Sequence, residues 1–303
     1  KLNALLDGDL ILPSEDQNTL ISAYIPIVYG CSHACTYCII PAKRGIEHSR
    51  PYEEILDEAQ CLVDQGVKEI TLLGQIVDRY GMDLPGQPTL ASLLRDLQKI
   101  KDLKRIRFLT SHPNWITKDL LMAVAELPKV CQHIEVPNQS GDDQILQAMR
   151  RGYTSDTYRE LIRDIRALIP GVSIATDIIV GFPGETEAQF ENTHNLLKEL
   201  RMDVAHLARY SPRTGTFSAR KMVDDVPAEE KMRRFRVLEN LQETIAGEIN
   251  AQYMGQTINV LFEGKSRNRW RGRTKTNKLV FVESQENLRG EECDVKITWA
   301  GPW

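Results

Sequence analysis

The sequence predicts an α/β chain built as a partial (β/α)6 TIM-like barrel followed by a small all-β barrel. The first observation is alternation: between residues 24 and 254, short apolar runs take turns with helical patterns, the order expected when parallel strands are joined by crossover helices. The second is a change of pattern after Gly255, where turn residues separate short β runs. The third is charge. The 303 residues carry 38 basic and 42 acidic side chains, a formal net charge of −4, yet residues 255–303 hold nine basic against six acidic ones. A change of sign where the pattern changes marks an appended module suited to a polyanion. At 42% hydrophobic and 26% charged, the composition is globular and excludes a collagen-like, mucin-like or wholly disordered chain.

Strands are expected at 24–30, 68–74, 104–110, 132–137, 172–181 and 203–210, and helices near 52–65, 89–100, 117–127, 142–151, 155–168 and 186–199. Thr117 is a candidate N-cap, and Pro170 with Gly171 supplies a stop for the fifth helix. Six such units make an incomplete barrel, whose functional residues belong at the C-terminal strand ends and in the loops after them. A flat doubly wound sheet would show the same alternation. A helix over 227–254 closes the first unit, with Met232, Phe235, Leu238 and Leu241 as its apolar stripe. Beyond it, TINVLFEG, RWRGRT, KLVFVES and ECDVKIT read as strands of the second unit. No apolar run approaches the roughly 18–20 residues needed to cross a bilayer, and the first residues carry no secretory pattern, so a cytoplasmic protein with no membrane partner is expected.

Six cysteines are too few and too scattered for a disulfide scaffold, but Cys31, Cys35 and Cys38 fall within eight residues just after the first strand. Three thiolates on one tight loop can hold three corners of a 4Fe–4S cubane and leave the fourth iron open to another ligand, and an open iron is a place for chemistry. Zinc is the competing reading. It wants four tetrahedral ligands, and His33, inside the triplet, is the only nearby fourth donor. Cys61, Cys131 and Cys293 share no ligand spacing and read as structural thiols, while His112, His133 and His206 read as structural or peripheral.

The C-x3-C-x-aromatic-x-C string, with Tyr37 in the aromatic place, resembles the signature of the radical S-adenosylmethionine (SAM) enzymes. The longer strings GCSHACTYCIIPAKRGIEHSRP, TLLGQIVDRYG, VPNQSGDDQILQAMRRGYT, TDIIVGFPGET and YSPRTGT resemble one subgroup, the methylthiotransferases, over about residues 24–303. Within it they are most similar to the tRNA enzymes acting on isopentenylated adenosine beside the anticodon. The resemblance implies a radical SAM barrel followed by a TRAM-type RNA-binding barrel. It implies a 4Fe–4S cluster on Cys31, Cys35 and Cys38 whose open iron chelates SAM. Cleavage of SAM would give an adenosyl radical that takes hydrogen from C2 of the base, where a methylthio group is then installed. The implied partners are tRNA, met at the unstacked anticodon stem-loop, and an external electron donor such as a flavodoxin or ferredoxin. A monomer is expected.

For SAM the resemblance implies contacts from Tyr37, from the Gly74 backbone to the amino group, and from Ile179, Val180 and Gly181 to the adenine. Gln139 and Ser140 can hydrogen-bond a ribose or a carboxylate, although Asp142 and Asp143 beside them would equally serve as helix caps. Arg44 and Arg213 are favoured as site arginines for a carboxylate or phosphate, with Thr214 standing where the family more often has Pro. Without the resemblance, Gly74 reads as a strand-ending turn and the arginines as solvated surface. Family members carry an N-terminal domain with three more cysteines for a second, sulfur-supplying 4Fe–4S cluster, and no cysteine precedes Cys31 here. Residues 1–23 are therefore expected to be a linker from a missing N-terminal domain, 24–254 the catalytic unit and 255–303 the RNA-binding unit. The chain is expected to bind and cleave SAM without completing thiolation, and to have a last barrel strand that is frayed or absent. A ribosomal protein side chain or threonylcarbamoylated adenosine is the alternative substrate. A non-catalytic zinc and RNA-binding module is the alternative of another class.

Residues 264–278 hold seven basic side chains and no acidic one. Arg267, Arg269, Arg271, Arg273 and Lys275 alternate, so a single extended strand would turn all five toward a phosphate backbone, with Lys265 completing the RNA-binding set. Trp270 would point to the other face as a core residue, or stack on a base if a bulge turned it.

Overall fold

The computed structural model describes residues 20–302, so most of the expected linker, residues 1–19, lies outside the described residues. The chain runs β1 (Ser22–Pro26), β2 (Val28–Tyr29), α1 (Ile40–Arg44), β3 (His48–Ser49), α2 (Tyr52–Asp64), β4 (Glu69–Leu73), α3 (Leu90–Leu97), β5 (Arg105–Phe108), α4 (Lys118–Glu126), β6 (His133–Glu135), α5 (Asp143–Ala148), α6 (Ser155–Leu168), β7 (Ser173–Val180), α7 (Glu187–Leu200), β8 (Val204–Arg209), α8 (Phe217–Lys221) and α9 (Ala228–Ala251). Four strands follow: β9 (Thr257–Ser266), β10 (Arg269–Arg273), β11 (Leu279–Val282) and β12 (Glu292–Lys296). No helix among the described residues is long and apolar enough to cross a membrane.

The helices start where their sequences supply caps. Reciprocal capping boxes open α3 (Thr89 with Ser92), α6 (Thr154 with Thr157) and α7 (Thr186 with Gln189), and Thr117 caps α4 by accepting the Leu120 N–H. Helix α2 has no side-chain cap; Glu53 and Glu54 in its first turn complement its dipole, and Ile55, Ala59, Leu62 and Val63 form its buried face.

Strands β1, β4 and β5 pair in parallel, as do β6, β7 and β8. A parallel bridge between Ile106 and Val130 and a 3.2 Å hydrogen bond from the Ser111 N–H to the Glu135 carbonyl join the two groups. The six strands are thus neighbours in chain order, which is the curl of a barrel; a doubly wound sheet would reverse direction partway. Among the described residues β8 and β1 do not pair, so the barrel is open on that side. Ile106 and Phe108 of β5 lie in the apolar layer under the helices, and by strand alternation Arg105 and Arg107 point the opposite way, into the barrel.

Helix α9 packs on a face offset from the expected stripe. Lys231, Arg234, Leu238, Gln242, Ile245 and Ala246 are buried, whereas Phe235 and Leu241 are only partly so. Charge moves inward here because it brings partners: Arg234 meets Glu185 at 2.8 Å and Lys231 meets Asp224 at 2.5 Å.

The second unit is an antiparallel sheet in the order β11-β10-β9-β12 over a core of Val260, Phe262, Trp270 and Val280. Trp270 is 5% exposed, so it is core and not a stacking platform. The expected single strand over 267–275 is broken at both ends. Arg267 and Asn268 have φ of 48° and 65°, the two left-handed residues of a tight hairpin turn, so Arg267 sits at a turn tip. Strand β10 ends at Arg273, and the loop after it docks on the N-terminal ends of the barrel strands. There Arg105 bonds Glu292 at 2.8 Å and Asn259 at 2.9 Å, and Arg107 reaches the Thr274 carbonyl at 2.7 Å and Glu69 at 3.0 Å. Lys278 pairs with Asp203 at 2.7 Å, and Lys275 donates to the Pro128 carbonyl at 2.6 Å. Lys275 is therefore part of the joint between the units and not of a basic strand face.

Candidate functional site

The cysteine triplet lies in a loop that the two-residue ribbon β2–β3 closes at its base. The loop folds back so tightly that the Cys31 N–H reaches the Gly45 carbonyl at 3.2 Å, and a Cβ on Gly30, whose φ is +66°, would stand 2.1 Å from the Ile46 carbonyl. Only glycine fits that bend. The loop is clamped from the far side by the turn after α5: the Thr36 N–H donates to the Met149 carbonyl at 3.1 Å and its hydroxyl to the Ala148 carbonyl at 2.9 Å.

The sulfurs sit in a graded field. Burial pushes the Cys31 and Cys38 thiols up, against the His33 and Ile40 backbone N–H groups respectively, and Arg213 also pulls Cys38 down. Burial raises Cys35 too, but hydrogen bonds and charge from His33 and Arg151 outweigh it and leave that thiol below its ordinary range. Arg151 donates from Nη1 to Cys35 Sγ at 3.3 Å. The His33 ring packs tilted against His112 at 4.5 Å, and His112 meets Tyr153 edge to face at 5.7 Å, so His112, expected to be structural or peripheral, backs the cysteine loop. Burial, with Arg151, His33 and Arg79 adding to it, pushes His112 down to about 2 and keeps it neutral.

This donor set fits an iron–sulfur cubane better than zinc. A structural zinc takes four protein ligands on a single ion, whereas the loop offers three thiols beside His33, whose ring packs on His112. Thiolates of a cubane each take a different iron, and N–H···S contacts such as those from His33 to Cys31 (3.4 Å) and Arg151 to Cys35 are what cluster-bound sulfurs accept.

The expected SAM contacts end up at different depths. Gly74 follows β4 directly and packs against Val28 and Val77, beside the root of the cysteine loop. Gln139 adopts φ +80° and is tied by its backbone to Asp177 (2.7 Å) and Ile179 (2.9 Å) of β7. Ile179 joins Tyr37, Phe182 and Tyr210 in one small apolar cluster, with the Tyr37 and Phe182 rings edge to face at 6.5 Å. Gly181 has φ +69°, and its N–H is already given to Glu185 at 2.6 Å. Two of the expected residues turn their side chains away from the surface. Val180, one position after Ile179, points by strand alternation into the main core and is fully buried. Ser140 is fully buried; its hydroxyl meets Thr193 Oγ1 at 3.3 Å and accepts the Asp142 N–H at 3.2 Å, while Asp142 caps α5. Arg44 is exposed at the end of α1, and Arg213 is exposed on the loop after β8.

On the second unit, Arg269 lies over Phe281 at 5.3 Å, Arg271 and Arg273 lean on Glu263 at 3.3 and 3.7 Å, and Lys265 lies over Trp270 at 4.8 Å. Glu263 is the extra residue where the β9 register jumps from Gly264 to Phe262 opposite Arg271–Gly272. Sequence reasoning missed Arg151. Its signal was two consecutive arginines before Gly-Tyr, past a helix that follows a barrel strand.

Residues 25–197 match the model of the Radical SAM superfamily and residues 251–303 that of the TRAM domain. The chain is 51% identical over 286 residues to the tRNA-2-methylthio-N(6)-dimethylallyladenosine synthase of Roseiflexus sp. (strain RS-1), covering 93% of this chain and 60% of that protein. It is 50% identical over 283 residues to the enzyme of that name from Dehalococcoides mccartyi (strain CBDB1), covering 93% and 68%. The chain thus spans about three-fifths of the length of the first of these relatives. Its fold is also similar to solved structures of low identity. They include the radical S-adenosylmethionine methyltransferase TsrM from Kitasatospora setae (TM-score 0.54, 16% identity, 85% of this chain and 43% of that one). Coproporphyrinogen III oxidase from Escherichia coli is another (TM-score 0.53, 16% identity, 76% and 54%). A barrel of parallel strands in chain order, three thiols at its C-terminal mouth and these matches together place the chain in the Radical SAM superfamily, and within it in the family of the tRNA-2-methylthio-N(6)-dimethylallyladenosine synthases.

Proposed function

We propose that the chain is the catalytic and RNA-binding part of a methylthiotransferase acting at C2 of isopentenylated adenosine in the tRNA anticodon loop. The observation that carries the reading is the three-thiol loop at the barrel mouth, with Gly74 directly after β4, Gln139 in the loop after β6, and Ile179 and Gly181 at the end of β7. When bound, a 4Fe–4S cluster with an open iron supplies one-electron reductive cleavage of SAM and so hydrogen-atom abstraction. The chain's own part is to hold and orient. Cys31, Cys35 and Cys38 hold the cluster; the Gly74 backbone receives the amino end of SAM, Gln139 the ribose, and Tyr37 and Ile179 give the adenine an apolar seat beside the Gly181 backbone. Arg213, near enough to act on Cys38, neutralises the carboxylate. Arg44, on the helix after Cys38, is a second site arginine for the SAM carboxylate or a tRNA phosphate. Arg269, Arg271 and Arg273 on the outer face of β10, with Lys265 and Arg267 at the β9–β10 hairpin end, offer the tRNA backbone a basic patch. An external donor of the flavodoxin or ferredoxin kind, a monomeric state and a cytoplasmic location complete the reading, with a second 4Fe–4S cluster in the full-length protein.

Anaerobically reconstituted protein is expected to hold one cluster, to cleave SAM under a strong reductant, and to bind an isopentenylated anticodon stem-loop more tightly than the unmodified one. Zinc in place of iron would overturn the enzymatic reading. Equal affinity for the two stem-loops would overturn the substrate.

A further inference from the structure

Arg151 is 5% exposed, and every face of its guanidinium is spoken for. Nη2 donates to the Pro137 carbonyl at 3.0 Å, Nε to the Tyr153 hydroxyl at 2.9 Å, and Nη1 to Cys35 Sγ at 3.3 Å. The Tyr153 hydroxyl in turn reaches the Asn138 carbonyl at 2.6 Å, and the Tyr153 ring lies 5.4 Å from the guanidinium carbon. Burying a permanent cation is costly, and among the described residues no carboxylate stands within ion-pair distance of it; its third anchor is a sulfur. The Pro137–Asn138 segment leads directly into Gln139, and the turn that carries Arg151 also clamps Thr36 of the cysteine loop. One side chain therefore spans the cysteine loop and the loop after β6.

From this geometry we infer that Arg151 is a positioning residue that sets the reduction potential of the cluster and locks it in register with the SAM-binding loop. The inference rests on the cluster reading above. Adding an electron to a cluster adds negative charge, which a buried cation and an N–H···S bond at one thiolate both stabilise, so Arg151 raises the potential. Tyr153 fixes the guanidinium's orientation, and its loss removes part of the same effect without removing charge.

The test is an EPR-monitored reductive titration of reconstituted wild type, Arg151→Gln, Arg151→Lys and Tyr153→Phe, each with its iron content measured. Arg151→Gln is expected to lose about tenfold or more in the reduction equilibrium, equivalent to about 59 mV for a one-electron couple. Arg151→Lys, which keeps charge but not the three-way fork, should recover part of the loss, and Tyr153→Phe should fall between Lys and wild type. SAM should perturb the reduced spectrum less in Arg151→Gln than in wild type. Full iron with an unchanged potential in Arg151→Gln overturns the inference. If Arg151→Gln loses its iron, an unchanged potential in Arg151→Lys and Tyr153→Phe overturns it equally. Failure of the wild type to take up iron would instead overturn the cluster reading itself.

Discussion

Gly181 shows how much one missing carbon decides. It ends β7 at φ +69°, and a Cβ there would stand 2.3 Å from Lys231 Cγ, in the middle of the stem that carries the ammonium to Asp224. Gly181→Ala is expected to cost about 1–3 kcal/mol from the left-handed backbone and the displaced lysine. The check is urea unfolding, with a lowered midpoint and unchanged slope. A variant as stable as wild type would mean that α9 moves away freely. At this scale the cysteines were legible, because three identical ligands in eight residues leave few other readings. Arg151 was not legible, because its meaning lies in a sulfur 116 positions away. The side-chain directions of Val180 and Ser140 were not legible for a related reason: a motif names neighbours in sequence, while strand alternation and the Thr193 contact decide where each side chain points.

Elements were the most legible level. The six barrel strands and their helices fall where apolar periodicity places them, since each is specified locally by a repeat and a cap. The capping box of α6 makes this testable. Thr154 accepts the Thr157 N–H while Thr157 returns the bond, so Thr154→Ala should cost about 1 kcal/mol in urea unfolding. No change would mean that packing of Tyr158, Ile162 and Ile165 alone holds the helix. Short elements escaped the pattern: the ribbon β2–β3 and helices α1 and α8 span two to five residues, too few for a period to emerge. The basic strand failed at its ends for another reason. Arg267 and Asn268 carry no Gly, yet take the left-handed turn because the pairing of β9 with β10 requires a reversal there.

On the scale of the whole molecule, the joint between the two units dominates. Arg105 is fully buried and gives its hydrogen bonds to Glu292, Asn259 and the Arg273 carbonyl, all on the second unit. Arg105→Ala should cost about 1–3 kcal/mol, since it empties a fully buried site and unpairs the partly exposed Glu292. Limited proteolysis should then cut the connection near 252–256 faster; unchanged cleavage would show that α9 alone holds the units together. His133 adds a pH dependence to this joint. It is buried between Ser173 (3.2 Å) and Asn277 (3.4 Å), and burial, then Arg107, Lys278, His206 and Arg273, push it down to about 3. A depressed histidine contributes stability that is fully present above its ordinary pKa of about 6.5 and is lost as pH falls toward its folded value. Urea stability should therefore drop between about pH 6.5 and pH 4 by up to about 1.4 kcal/mol per unit more in wild type than in His133→Asn. Parallel curves for the two proteins would remove His133 from the joint.

By itself the sequence determined the order and type of the elements, the three-cysteine motif and the presence of a basic β module, because periodicity, motif spacing and composition act over short stretches of chain. Tertiary structure alone decided which residues of each motif face the barrel mouth, that Lys275 and Lys278 anchor the joint instead of lying free, and that a buried arginine meets a cysteine thiol. Those outcomes depend on which distant groups are brought within hydrogen-bonding reach, and a buried charge must find its partner wherever the fold puts one.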